Sequence, residues 1–196
     1  YGTDRPSSQS APLTKSSIYS EYENTIYALT AAIDTKDHYT FSHSKNVAAY
    51  STALARALNL GPDHVEMIRE AALLHDVGKT RELSSFPLND YTDEGQLLGH
   101  IIIGAQMIHD LIKEIPDFPL DLENQLVHCI LAHHGELEYG SPKKPAMVEA
   151  VALNLADNTD ARMETLTEIF AADKSKKEWL GFNRIFESNL RKTGEW

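Results

Sequence analysis

From Ile18 onward the apolar residues of this chain recur at three- and four-residue steps, and no stretch alternates strictly for long enough to make a strand. That periodicity favours a helical protein. Ile18, Tyr22, Ile26, Leu29 and Ile33 mark one face of a first helix. A second runs from about Ser42 to Leu58; Leu60-Gly61-Pro62-Asp63 then ends it and starts a third, which carries Val65, Ile68, Ala72 and Leu73 to His75. Thr80 to Asp93, with Ser-Ser, Pro and Asn-Asp, reads as a loop. Helices follow over about Gly95–Ile115, closed by Pro116 and Pro119, and over about Leu120–His134. Gly135, Gly140, Pro142 and Pro145 mark a second loop, after which apolar positions 147, 148, 151, 152 and 155 restore the helical step. The predicted fold is all-α, six or seven helices whose apolar faces converge on one core.

At about 150 residues per domain, 196 residues allow one domain with ragged ends. Residues 1–17 (YGTDRPSSQSAPLTKSS) lack large apolar side chains and read as a linker or tag-like leader, and 18–196 as the domain with a C-terminal helical extension. The leader implies a piece of a longer protein, with further domains N-terminal to this chain. Lys plus Arg is 18 and Asp plus Glu 29, a balance of −11, which argues against nonspecific nucleic-acid binding by phosphate neutralisation. Phosphate chemistry on such a chain calls for cations. The single cysteine, Cys129, excludes an internal disulfide and a cysteine zinc site and fits a reducing cytoplasm. Apolar runs stop short of the roughly 20 residues a membrane span needs, so a soluble, cytoplasmic protein is expected.

The densest chemical signal is His75-Asp76-Val77-Gly78-Lys79 at the end of the apolar helix AALLHD. Ionisable groups at the inner end of a buried element are expensive unless paired or bound to metal. Gly78 can take the left-handed conformation that ends a helix, turning Lys79 back toward the same pocket. His43, His100, His133, His134 and, within the apolar run VALNLAD, Asp157 would each be awkward core residues. With His75 and Asp76 they make five imidazoles and two carboxylates, enough for two metal ions if one carboxylate bridges. A mixed N/O set suits Fe, Mn, Co, Ni or Zn better than Mg or Ca. His38, His64, His109 and His128 read as ordinary core or surface histidines, and Glu136 and Glu138 either as carboxylates that orient the ligand histidines or, the favoured reading, as exposed loop charges. The basic cluster Lys174, Lys176, Lys177, Arg184, Arg191 and Lys192, with Trp179 and Phe182, reads either as a contact for a nucleic-acid strand or as a solvated amphipathic helix.

In order and spacing, His43, His75-Asp76 and Asp157 resemble the HD superfamily of metal-dependent phosphohydrolases over about residues 20–165. The resemblance implies a helical-bundle HD domain whose first metal is held by His43, His75, Asp76 and Asp157. Asp37-His38-Tyr39-Thr40-Phe41-Ser42-His43-Ser44 and HDVGK are similar to HD-GYP domains, which hydrolyse cyclic di-GMP. That likeness implies a second metal held by Asp76, His100, His133 and His134. Some HD-GYP domains hold a third through a Glu four residues before the first histidine; Tyr39 stands there, and a phenol with an unperturbed pKa of about 10 is a poor substitute. The back half, His133-His134-Gly135-Glu136-Leu137-Glu138-Tyr139-Gly140-Ser141-Pro142 with Tyr91-Thr92-Asp93-Glu94-Gly95 and Leu98-Gly99-His100, resembles instead the HD domain of YhaM-type 3'-5' exoribonucleases. Those enzymes carry an N-terminal OB-fold that recruits the strand.

The expected function is therefore hydrolysis of a phosphodiester or phosphomonoester of a nucleotide or short nucleic acid at a binuclear His/Asp centre. Asp76 would bridge the two divalent ions, and Lys79 would neutralise charge on the phosphoryl oxygens. The alternative class is a non-catalytic HD-type signalling module within a larger regulatory protein.

Overall fold

In the computed structural model, which describes residues 26–33, 42–85, 87–175 and 177–194, two short apolar helices end on histidines at the centre of the molecule. The first is α3 (Pro62–Leu74), preceded by α1 (residues 26–33) and α2 (His43–Ala57). It starts with Pro62 in its first turn, where a missing N–H costs nothing, and buries Met67, Ile68, Ala71, Ala72, Leu73 and Leu74. Its C-cap is His75. The second is α6 (Leu120–Ala132), which enters from Pro119 with Asp121 and Glu123 in the positive first turn, buries Leu122, Leu126, Cys129 and Ile130, and is capped by His133.

Between them lie α4 (Lys79–Glu82) and α5 (Asp93–Lys113). Thr92 caps α5 by accepting from the Gly95 N–H, with Asp93 and Glu94 in the first turn. The long α7 (Val148–Ala172) packs against α2, α3 and α6, while α3 also packs on α2 and α6 and α5 on α4 and α6. Val47, Met67, Ala71, Leu122, Ile130 and Leu153 share one core, and each large aliphatic group buried there contributes about 1.5–3 kcal/mol. The all-α reading holds for this body. The expected leader over residues 1–17, Ile18, Tyr22, His38 and Tyr39 lie outside the described residues.

Three expectations are corrected. The Thr80–Asp93 loop contains α4 and an antiparallel bridge between Leu83 and Tyr91. After Ala172 the chain forms, in place of a helical extension, an antiparallel hairpin of β1 (Trp179–Asn183) and β2 (Ser188–Arg191). Of the basic cluster, Arg191 lies in β2 and pairs with Glu178 at 2.6 Å, Lys192 follows it and pairs with Asp173 at 2.7 Å, and Lys176 lies outside the described residues. Finally, Gly78 has φ −63° and ψ −24°, a right-handed helical conformation. What its position demands is space: a Cβ there would lie 2.7 Å from both Gly104 N and His100 C, and closer still to His100 O.

Candidate metal centre

The C-terminal ends of α3 and α6 solve the same local problem in the same way. A helix leaves its last carbonyls without intrahelical donors. Nδ1–H of His75 donates to Ala72 O at 2.7 Å, and Nδ1–H of His133 donates to Ile130 O at 2.6 Å. Each ring is thereby fixed in one tautomer, with Nε2 carrying the lone pair and facing the interior. Gly135, at φ 81°, then turns the chain out of α6, and the His134 Nδ1–H donates to Tyr139 O at 2.8 Å. His100 Nδ1–H donates to Glu82 Oε1 at 3.1 Å, and His43 Nδ1–H to Asp160 Oδ2 at 2.7 Å. All five imidazoles thus spend Nδ1 on an oxygen and present Nε2.

Those Nε2 atoms meet around Asp76. Its Oδ2 lies 3.4 Å from His75 Nε2 and 3.8 Å from His43 Nε2, while Oδ1 lies 3.5 Å from His100 Nε2 and 3.7 Å from His133 Nε2. Asp157 Oδ1 completes the first side, 3.2 Å from His43 Nε2 and 3.8 Å from His75 Nε2. His134 completes the second, its ring 4.3 Å from that of His133 and 5.1 Å from that of His100. The turn after Asp76 brings Lys79 Nζ to 2.8 Å from Oδ2. The seven residues expected to hold metal, together with Lys79, therefore stand in this one cluster.

Three of its members are almost wholly buried, His133 at 0 %, His75 at 1 % and Asp76 at 3 % exposure. Burial holds the His75 imidazole below its ordinary value, and burial with His75 beside it takes His133 down to about 3, so both are neutral at physiological pH. Asp76 is driven the other way: burial opposes its charge, but His75, Lys79, His100 and His133 hold the carboxyl well below the usual range. His43 is pulled down by burial, yet Asp157, Asp160 and Asp76 outweigh this and raise it to about 9. Asp157, which burial would raise, is lowered chiefly by its bond to His43.

This donor set fits a metal. His100 Nε2 and His133 Nε2 are buried and have no hydrogen-bond partner, which costs roughly 1–3 kcal/mol each unless a cation takes the lone pairs. His43, His75 and Asp157 form one group able to hold an ion, His100, His133 and His134 another, and His75, Asp76 and His133 join them. Nitrogen and oxygen donors together suit a divalent transition ion.

Sequence reasoning missed Asp160 and Glu82. Asp160 carried a signal, since it follows Asp157 by three residues and so shares its helix face. Glu82 carried none. Of the histidines read as ordinary, three lie among the described residues and away from the cluster: His64 pairs with Glu149, His109 Nδ1 with Glu123 at 2.5 Å, and His128 Nε2 accepts from the Ala146 N–H. Glu136 and Glu138 are exposed, the former paired with Lys144 at 2.5 Å.

The HD domain family matches residues 40–162, the span that holds this whole cluster, and the chain belongs to that family. Its similar curated relatives include the 3'-5' exoribonuclease YhaM of Bacillus subtilis (strain 168), 43 % identical over 103 residues, which are 52 % of this chain and 32 % of the relative. The 3'-5' exoribonuclease YhaM of Bacillus velezensis is 44 % identical over 100 residues, 50 % of this chain and 31 % of the relative. The match thus spans about a third of the length of these relatives. No solved structure matches the chain. Among the described residues no helix is long and apolar enough to cross a membrane.

Proposed function

We propose that this chain hydrolyses a phosphodiester at the end of a short nucleic-acid strand, using a binuclear centre with His43, His75, Asp76 and Asp157 around one divalent ion and Asp76, His100, His133 and His134 around the other. The observation that carries the reading is the division of Asp76, whose Oδ2 faces the first pair of imidazoles and whose Oδ1 faces the second. When bound, the ions supply Lewis-acid polarisation of phosphoryl oxygens and a water whose pKa is lowered toward neutrality.

The chain's own residues do the rest. Asp76 and Asp157 stay ionised and set the site's negative charge against the cations. Neutral His75 and His133 keep their Nε2 lone pairs available at physiological pH. Lys79, 2.8 Å from Asp76 Oδ2, lines a cavity of about 550 Å³ and neutralises charge on the phosphoryl oxygens as it builds in the transition state. Tyr139 and, on α7, Asn158 and Thr165 line the same cavity, which admits a terminal nucleotide. The relatives' name, 3'-5' exoribonuclease, favours an RNA end over a cyclic dinucleotide as substrate.

The test is turnover of a labelled short RNA, a linear dinucleotide, cyclic di-GMP and bis-p-nitrophenyl phosphate, each with Mn and, anaerobically, with Fe. Metal-dependent release of mononucleotides from the RNA is expected. A metal-loaded chain inert toward all four belongs instead to the signalling-module class.

A further inference from the structure

Helix α5 is broken as it enters the site. Gly99 has φ 73° and ψ 155°, outside the helical region, so the residue after it cannot hand its N–H to the carbonyl four residues back as a helix requires. That N–H belongs to His100, and it donates to Glu82 Oε1 at 2.9 Å. The same oxygen accepts from His100 Nδ1–H at 3.1 Å. One carboxylate oxygen therefore holds His100 by both its main chain and its ring.

Glu82 is itself fixed. It ends α4, is 7 % exposed, and its carbonyl accepts from the Thr92 N–H at 2.9 Å. Gly95 lies so close that a Cβ there would collide with the Glu82 backbone. On the far side of the ring, His100 Nε2 is buried without a partner and points at Asp76 Oδ1. Were Nδ1 not held as the donor, the imidazole would be free to protonate Nε2 instead, and the lone pair would leave the centre. A buried carboxylate is costly to keep unless its bonds require it, and these are the bonds it makes.

We infer that Glu82 is the positioning residue for the second ion: by fixing the tautomer and direction of His100, it decides whether the chain holds one ion or two. The inference rests on the two-ion reading above. Its counterpart on the first side is Asp160, which holds His43 by the ring alone, accepting from Nδ1–H at 2.7 Å.

The experiment is Mn(II) titration of the chelator-stripped wild-type, Glu82→Ala and Glu82→Gln chains. Bound ions are counted by mass spectrometry, and pairing is read from the exchange-coupled electron paramagnetic resonance signal of two neighbouring Mn(II) ions. Wild type should take two ions. In Glu82→Ala one ion should bind as in wild type, the second should weaken by about 10–100-fold, and the coupled signal should give way to that of isolated Mn(II). Glu82→Gln, whose amide oxygen still accepts from Nδ1–H, should recover much of the second ion. Two ions bound by Glu82→Ala with wild-type affinity would overturn the inference alone. So would loss of both ions together with a collapsed unfolding transition in both variants, which would make Glu82 a fold residue. A wild-type chain that takes fewer than two ions overturns the two-ion reading and the inference with it.

Discussion

Replacing Gly78 by Ala sets two physical effects of opposite sign against each other. Gly78 sits in right-handed helical conformation at the start of α4, where Ala would be preferred by up to about 1 kcal/mol on propensity alone. Against that, its new methyl would lie 2.7 Å from Gly104 N and His100 C, where ordinary contacts are 3.4–4 Å. These atoms are backbone, as is the still closer His100 O, so no side chain can rotate away, and α5 must retreat by more than the gap between 2.7 and 3.4 Å. Overpacking of this kind costs about 1–3 kcal/mol, and the rigid obstacle places Gly78→Ala near the upper end, for a net loss of about 2 kcal/mol. In a domain of this size that lowers Tm by roughly 4–8 °C. The retreat also carries His100 away from Asp76, so the variant should bind less metal than wild type at equal concentration. Calorimetric melting of the stripped and Mn-loaded proteins reads both effects, with Gly194→Ala as control, since nothing lies within 4 Å of a Cβ at that position. A Gly78→Ala protein that melts at or above the wild-type temperature would refute the packing argument and leave propensity as the winner.

Asp76→Ala should abolish turnover and lose metal from both positions; two tightly held ions in that variant would remove its bridging role. Lys79→Ala should keep its metal content and mainly lower kcat, because the lysine's partner is the transition-state phosphate; loss of metal would make it structural. In the chelator-stripped chain His43 is raised from 6.5 to about 9, so its protonated form stabilises the fold fully below pH 6.5 and fades as pH rises through about 9. A metal ligand must be deprotonated, so Mn uptake at pH 7.5 should release about one proton from His43, and affinity should climb by about tenfold per pH unit until pH nears 9. Titration calorimetry in buffers of different ionisation enthalpy checks this, and a flat affinity between pH 7 and 8.5 would contradict it.

Much of the site was legible because its chemistry conflicts with its surroundings. His75 and Asp76 close an apolar helix, Asp157 interrupts another, and polar groups so placed need a purpose whatever the tertiary fold. Gly78 was recognised for the wrong reason. A glycine needed for its φ and a glycine needed for its missing Cβ look identical in sequence, and only the approach of α5 separates them. Glu82 was invisible, since its role depends on a helix break at Gly99 seventeen residues away. The C-terminal hairpin escaped because β1 is five residues long, holds Gly181 at φ 94°, and pairs with a register irregularity between Trp179 and Gly181. Strict alternation never develops there.

In the proposed centre one carboxylate, Asp76, joins two metal ions. Crystals of the chain soaked in Mn and measured at a wavelength of strong Mn anomalous scattering test it most directly. Two anomalous peaks are predicted, about 3.5 to 4 Å apart. One should lie among His43, His75 and Asp157, the other among His100, His133 and His134, with an Asp76 oxygen on each. A single peak would contradict the bridging role of Asp76 and reduce the second histidine set to substrate binding, and three would show a ligand set beyond these seven residues.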